Sequence, residues 1–256
     1  VSTAPAPTLS RAVLLRVFLR SLALQASWNP KGMQNLGLVY SLFPALEQLY
    51  PDKKEQEAAV QRHLVFFNSH PYVAAAIVGG VLNHEQRIAR GEETPDKVVA
   101  FKTALMGPLA ALGDGFFWLS LKPAVGAVCA ALVPVLHAWA ALLFLFLYNL
   151  VHLYLRARFY MLGLALGDRL VEAVARANLP SRGARLRSVA AASAGGLAAW
   201  LAVDLGRTAG GDHAPWLVAG CLALGVVSYV LVQQRVPNYV VLYLAAGLAC
   251  AAGAFL

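Results

Sequence analysis

Apolar and polar residues follow one another in blocks whose lengths and periods predict helices along most of this chain. From Arg11, the apolar positions Leu14, Leu15, Phe18, Leu19, Leu22 and Leu24 recur at helical spacing, with Arg11, Arg16 and Arg20 on the other face. This predicts a basic amphipathic helix of the kind that lies on a membrane surface. Trp28-Asn29-Pro30 breaks it, because the residue before a proline disfavours helix. Met33–Leu49 resumes as a second apolar helix carrying Gln34 and Asn35. Pro51, read as a first helical position, opens a polar helix within residues 51–70. Pro71–Leu82 is apolar but too short to span a bilayer, so a core helix or a re-entrant segment is expected there.

The stretch Met106–Pro123 departs from an ordinary membrane span. It is mostly apolar, yet it holds Gly107, Pro108, Gly113, Gly115 and the carboxylate Asp114. Gly113-Asp114-Gly115 is a turn signal inside hydrophobic sequence. Irregular backbone at membrane depth survives only where protein or a water-filled cavity meets it. Residues 98–125 are therefore expected to form a broken or re-entrant helix, with Gly107, Pro108, Gly113 and Gly115 making the break. Residues 125–151 are the clearest span, uncharged throughout although they contain Pro134 and His137. Val189–Val203, Trp216–Val232 and Val240–Leu256 follow as further transmembrane helices, in a C-terminal part covering 188–256.

Composition sharpens this picture. The 256 residues are 59% hydrophobic and 13% charged, with mean hydropathy +0.60, against about 25% charged residues in soluble domains. The net charge of +8 sits beside apolar spans and does not form a nucleic-acid-binding face. Residues 152–187 carry Arg156, Arg158, Arg169, Arg176, Arg182, Arg185 and Arg187 against Asp168 and Glu172, which marks them as cytoplasmic. The loop 204–213 is then outside, Gln233–Asn238 inside and the C-terminus outside. Cys129, Cys221 and Cys250 lie in apolar segments without metal-binding spacing, so neither disulfides nor a metal site is expected. Residues 1–10 read as a disordered tail without a secretory signal.

Several separated blocks resemble the IID component of the mannose/fructose/sorbose-type sugar phosphotransferase system. They are FLRSLALQASWNPKGMQNLG (Phe18–Gly37), RHLVFFNSHPYVAA (Arg62–Ala75), MGPLAALGDGFFW (Met106–Trp118) with Lys122-Pro123, and YNLVHLYLR (Tyr148–Arg156). The final VPNYVVLYLAAGLACAAGAFL is similar to that family's last helix. The resemblance implies an all-α, polytopic subunit of an elevator-type translocator in the bacterial inner membrane, with residues 11–187 as the IID core. It implies an obligate membrane partner, IIC, and cytoplasmic phosphocarriers IIA and IIB, with IIB phosphorylating a hexose or amino sugar as it arrives. An oligomer of heterodimers is implied. This chain would be a non-catalytic subunit without a phosphohistidine or a cofactor. Gly115, Lys122 and His70 depart from the family's usual residues, and the extracytoplasmic loop is shortened to about 204–215. These departures leave open a non-transporting scaffold, and an unrelated secondary transporter is a third class.

The candidate substrate-binding residues are Asp114, Asn68, Gln34, Trp28, Asn29 and Gln25. Asp114 either accepts from a sugar hydroxyl or caps a half-helix. Asn68 offers donor and acceptor to a polyhydroxyl ligand, or turns the chain before Pro71. Trp28, with Gln25, Asn29 and Gln34, forms a stacking and hydrogen-bonding wall or an interfacial anchor. His63 sits without a visible base, Glu85 is expected in solvent, and His137 and His152 are expected to be satisfied structural groups. The arginines of 156–187 serve topology and lipid headgroups, or dock an acidic partner such as phosphorylated IIB.

Overall fold

The computed structural model describes residues 8–208 and 214–253. Among them every regular element is helical, with isolated bridges only at Asn29–Met33 and Met33–Phe67. Order begins before the first helix. Gln48 binds the Thr8 carbonyl and the Ser10 amide, and the Leu9 amide reaches Gln86. The expected tail is thus ordered from Thr8, and its first seven residues lie outside the described residues. Ser10 then N-caps α1 (Arg11–Ser21) through the Val13 amide. α1 buries Val17 and leaves Leu15 and Leu19 exposed. It packs on α2 (Asn35–Leu49), which accommodates Pro44. α3 (Lys53–His63) starts two residues later than Pro51 predicts. Asp52 is the reason: its carboxylate accepts from the amides of Lys54 and Glu55, a stronger start signal than the proline outside it.

α4 (Ala74–Ala89) settles the short apolar run as a core helix. Val73 to Leu82 are buried without interruption. A methyl group on Gly79 would lie 2.1 Å from the Tyr160 carbonyl oxygen, and one on Gly163 would lie 2.0 Å from that of Ala76. Two glycines thus let α4 and a later helix touch backbone to backbone, as small residues do where helices pack closely.

The expected break at Gly113-Asp114-Gly115 is not a chain reversal. α5 (Pro95–Gly113), a π-helix (Asp114–Leu121) and α6 (Lys122–Ala131) run on as one helical stretch of 37 residues. Gly113 and Asp114 both keep right-handed helical dihedrals. The irregularity is absorbed by wider turns, with the Ser120 hydroxyl donating to the Gly115 carbonyl at 2.7 Å. The chain breaks instead inside the stretch read as the clearest span. α6 ends at Ala131, the short α7 (Val133–Leu136) contains Pro134, and His137 takes a left-handed φ of 49° before α8 (Trp139–Leu166). Proline lacks the amide that would continue the ladder and clashes with the carbonyl one turn back. The absence of formal charge in 125–151 concealed this.

A 3₁₀ turn (Gly167–Arg169) leads into α9 (Leu170–Arg176), α10 (Leu179–Thr208), α11 (Ala214–Gln233) and α12 (Asn238–Gly253). α10 is far longer than the short helix expected at 189–203, and it takes in the start of the supposed loop 204–215. Residues 209–213 of that loop lie outside the described residues, as do 254–256. Pro95–Ala131 and Trp139–Asp204 each contain a stretch long and apolar enough to cross a membrane. The chain divides into two compact units, Val1–Gly126 with Ala141–Ser188, and Ala127–Ala140 with Val189–Leu256. The main apolar core lies in the first, centred on α2, α4, Phe67 and Phe117.

Candidate functional site

Two loops of the first unit bring most of the sequence-predicted residues together. In the loop after α1, the Asn29 and Met33 backbones bond each other, and Asn29 Oδ1 accepts from the Gly32 amide at 2.8 Å. Asn29 Nδ2 donates to Asn35 Oδ1 at 3.0 Å, and Asn35 Nδ2 donates to the Leu64 carbonyl. Gln34 is buried, and its amide bonds both backbone groups of Ser69, donating to the oxygen at 2.8 Å and accepting from the nitrogen at 3.0 Å. Gln34 and Asn35 therefore clamp this loop onto the Leu64–Ser69 segment, Asn29 orients Asn35, and the Gln34 amide is spent on backbone. Both sequence-predicted residues thus hold protein partners, Asn29 through Asn35 and Gln34 through Ser69. Gln25 and Trp28 are exposed, and Asn68 is half-buried beside the clamp.

The same segment meets the π-helix. A methyl group on Gly113 would lie 2.3 Å from His70 Cβ, so glycine there is what lets the imidazole close on the helix. His70 stacks on Phe117 with ring centroids 5.2 Å apart, and Tyr72 meets Phe117 edge-on at 5.1 Å. Tyr72 stacks on His152 at 4.3 Å, and the Arg156 guanidinium lies over Tyr72. Arg156 also donates to the Ser21 carbonyl. It is buried and joins α8 to α1, so it is not one of the surface arginines it was expected to be. His152 bonds Asn149 through Nε2, while its Nδ1 and the Nε2 of His70 are buried without a partner among the described residues. Burial, with Arg156 nearby, pushes His70 down to about 4.

Asp114 is half-buried on this π-helix and bonds no described side chain or backbone amide. Its predicted capping role is not formed; at that junction its own amide donates to the Ala110 and Ala111 carbonyls. Gly107 and Gly115 have open space where a methyl group would go, and Pro108 lies within α5.

Residues 8–204 match the family described as the PTS system mannose/fructose/sorbose family IID component. The chain belongs to this family. It is 42% identical over 161 residues to the PTS system mannose-specific EIID component of Escherichia coli (strain K12), a match covering 62% of this chain and 56% of that protein. It is 38% identical over 159 residues to the sorbose-specific EIID component of Klebsiella pneumoniae, covering 62% and 58%. With the fructose permease IID component of Bacillus subtilis (strain 168) it shares 34% over 146 residues, covering 57% and 53%. The matches thus span little more than half the length of these curated relatives. A solved chain described as "CryoEM Structure of Mannose Transporter ManYZ and Microcin E492 (MceA) complex" superposes with a TM-score of 0.61 at 28% identity, covering 96% of this chain and 97% of that one. A second, described as "Structure of membrane protein", gives a TM-score of 0.70 with the same identity and coverage.

Within this IID chain, sequence reasoning missed a buried ionic cluster. Glu85 is buried, not solvated. It accepts from Arg62 Nε at 2.8 Å, Arg62 Nη2 at 2.5 Å, His63 Nε2 at 2.8 Å and the Tyr50 hydroxyl at 2.7 Å. Lys102 Nζ donates to the Arg62 carbonyl at 2.9 Å. A carboxylate only accepts, so His63 carries its proton on Nε2. Burial by itself would raise the Glu85 carboxyl, but the hydrogen bonds from Arg62 and His63 outweigh it and hold it at about 2. Burial, with Lys102 and Arg62 nearby, lowers His63 to about 4. His63 is thus a neutral, enclosed donor, which gives a phosphoryl group no access. The partners come from the residue that follows α2 and from α3, α4 and α5 with no fixed spacing, so the pattern of the sequence could not join them.

Proposed function

We propose that this chain is the IID subunit of a phosphoenolpyruvate-dependent sugar phosphotransferase system in the bacterial inner membrane. It forms the sugar path with IIC by an elevator-type movement, IIB phosphorylates the arriving hexose or amino sugar, and IIA supplies IIB. The observation that carries this reading is the family match over residues 8–204, supported by likeness along nearly the whole chain to a solved chain from a complex of a mannose transporter with a microcin.

Within that role, Asp114 and Asn68 are the residues proposed to meet the sugar. They are half-buried polar side chains whose bonding groups are not spent on the clamp. Trp28 and Gln25, both exposed, flank the clamped loop and supply an aromatic face and an amide at its surface. Gln34 and Asn35 position the segment that carries Asn68, and Asn29 holds Asn35 in place.

The test is phosphoenolpyruvate-driven uptake into membrane vesicles holding this chain, its IIC and the soluble phosphocarriers. Accumulation of sugar phosphate is expected for at least one hexose or amino sugar. An intact complex that takes up none of them overturns the reading and leaves the non-transporting scaffold.

A further inference from the structure

We propose that the cavity between the end of α8 and the α9–α10 turn binds the phosphate headgroup and upper acyl chain of one anionic phospholipid. The cavity measures about 260 Å³ and lies within the first unit. Phe159, Leu162 and Leu166 line its apolar side, and Arg158, Arg176 and Arg182 its polar side. No carboxylate is among the lining residues, and these three arginines have no ion-pair partner among the described residues. Three guanidiniums beside an apolar wall suit a ligand that is both anionic and amphiphilic, and planar guanidinium forks match phosphate geometry.

The fold explains why the pocket exists. Asn178 takes a left-handed φ of 45°, which turns α9 back into α10 and sets Arg176 and Arg182 on the two sides of the turn. Gly167, also left-handed at φ 51°, ends α8 against Asn83, whose amide donates to the Leu164 carbonyl at 2.9 Å. Phe159 and Leu179 are buried, so the apolar wall is backed by core.

A lipid is favoured over an acidic protein by what continues from the cavity. α8 carries Trp139, Leu142, Leu145, Phe146, Leu150 and Met161 exposed along its length. A helix with such a surface is at home in hydrocarbon, and the arginines gather at its far end, where headgroups would lie. The inference rests on the membrane placement proposed above but not on transport, so its test reads lipid binding alone.

The complex of this chain with IIC is purified in mild detergent and titrated, by native mass spectrometry, with short-chain phosphatidylglycerol, short-chain phosphatidylcholine and inorganic phosphate. Phosphatidylglycerol is expected to bind at least tenfold more tightly than phosphatidylcholine. The variant R158Q/R176Q/R182Q is expected to lose that preference, whereas the control R11Q/R16Q, on α1, keeps it. Leu162→Asn retains every charge and is expected to weaken phosphatidylglycerol at least fivefold, which separates the apolar wall from charge alone. Equal binding of the two lipids overturns the proposal. So does a preference unchanged in the triple variant of a folded complex, or inorganic phosphate binding as tightly as phosphatidylglycerol.

Discussion

At the scale of single residues, Glu85 and Asp114 are opposites. Glu85 is buried and accepts from four donor atoms, whereas Asp114 is half-buried and its carboxylate accepts from no described side chain. Replacing Glu85 by Gln removes the negative charge from an enclosed Arg62 and is expected to destabilise the protein by about 3–5 kcal/mol. Thermal unfolding of the detergent-solubilised complex measures this. The paired replacement Glu85→Leu with Arg62→Met is expected to recover only part of the loss, because it removes the enclosed Arg62 charge but leaves the buried Lys102 ammonium without its carboxylate. For Asp114, replacement by Asn keeps size and one acceptor but removes charge. If the sugar bonds the carboxylate, affinity falls by roughly tenfold or more, as expected for a charged hydrogen bond of about 1.5–3 kcal/mol. Unaltered binding, measured by titration with the transported sugar, would show that the charge of Asp114 has no ligand role. Glycines divide in the same manner. Gly113→Ala drives a methyl group into His70 and is expected to cost about 1–3 kcal/mol, while Gly115→Ala enters open space and is expected to be neutral or stabilising.

At the scale of elements, helical periodicity marks α1, and unbroken apolar runs mark α2, α11 and α12 and the first part of α4. The break after Trp28 was readable because Asn29-Pro30 is a local signal with a local consequence. The polar clamp of Gln34 on Ser69 was not readable, since it joins residues 35 apart and a glutamine looks alike whether it bonds a sugar or a backbone. Break signals were also misweighted. Glycines with an aspartate signal a turn where wider helical turns accommodate them, and Pro134 stands in surroundings whose lack of charge signals a continuous span. His137 bears the resulting strain, with φ 49° and a side chain beyond Cα. Glycine adopts such dihedrals freely, so His137→Gly is expected to stabilise the link between α7 and α8 by about 1 kcal/mol, seen as a higher unfolding midpoint.

For the whole molecule, the buried histidines make stability depend on pH. In the unfolded chain His63 and His70 bind protons near the ordinary value of 6.5, but in the folded chain only near 4. The unfolded state holds more protons between those values, so stability is full above about pH 6.5 and declines toward pH 4. Glu85 adds a second decline, from its ordinary 4.5 down to about 2. Each group contributes a slope of about 1.4 kcal/mol per pH unit within its window. Unfolding midpoints recorded from pH 8 to pH 4 are expected to fall with the first window, and His63→Asn is expected to flatten part of that fall. Both windows come from groups in the first unit.

The π-helix from Asp114 to Leu121 has one more consequence. Every α-helical residue advances the direction of its side chain by about 100°, so an ordinary helix has a single phase from end to end. Wider turns reset that phase. Residues before Asp114 and after Leu121 therefore point to sides that no single helical wheel aligns, although one unbroken rod carries both. The Asp114–Leu121 segment thus acts as a phase shifter between α5 and α6, without a joint. Deleting Leu119 would restore a single phase. Cysteine accessibility along α6 would then report a face rotated relative to that of the unaltered chain, with α5 undisturbed.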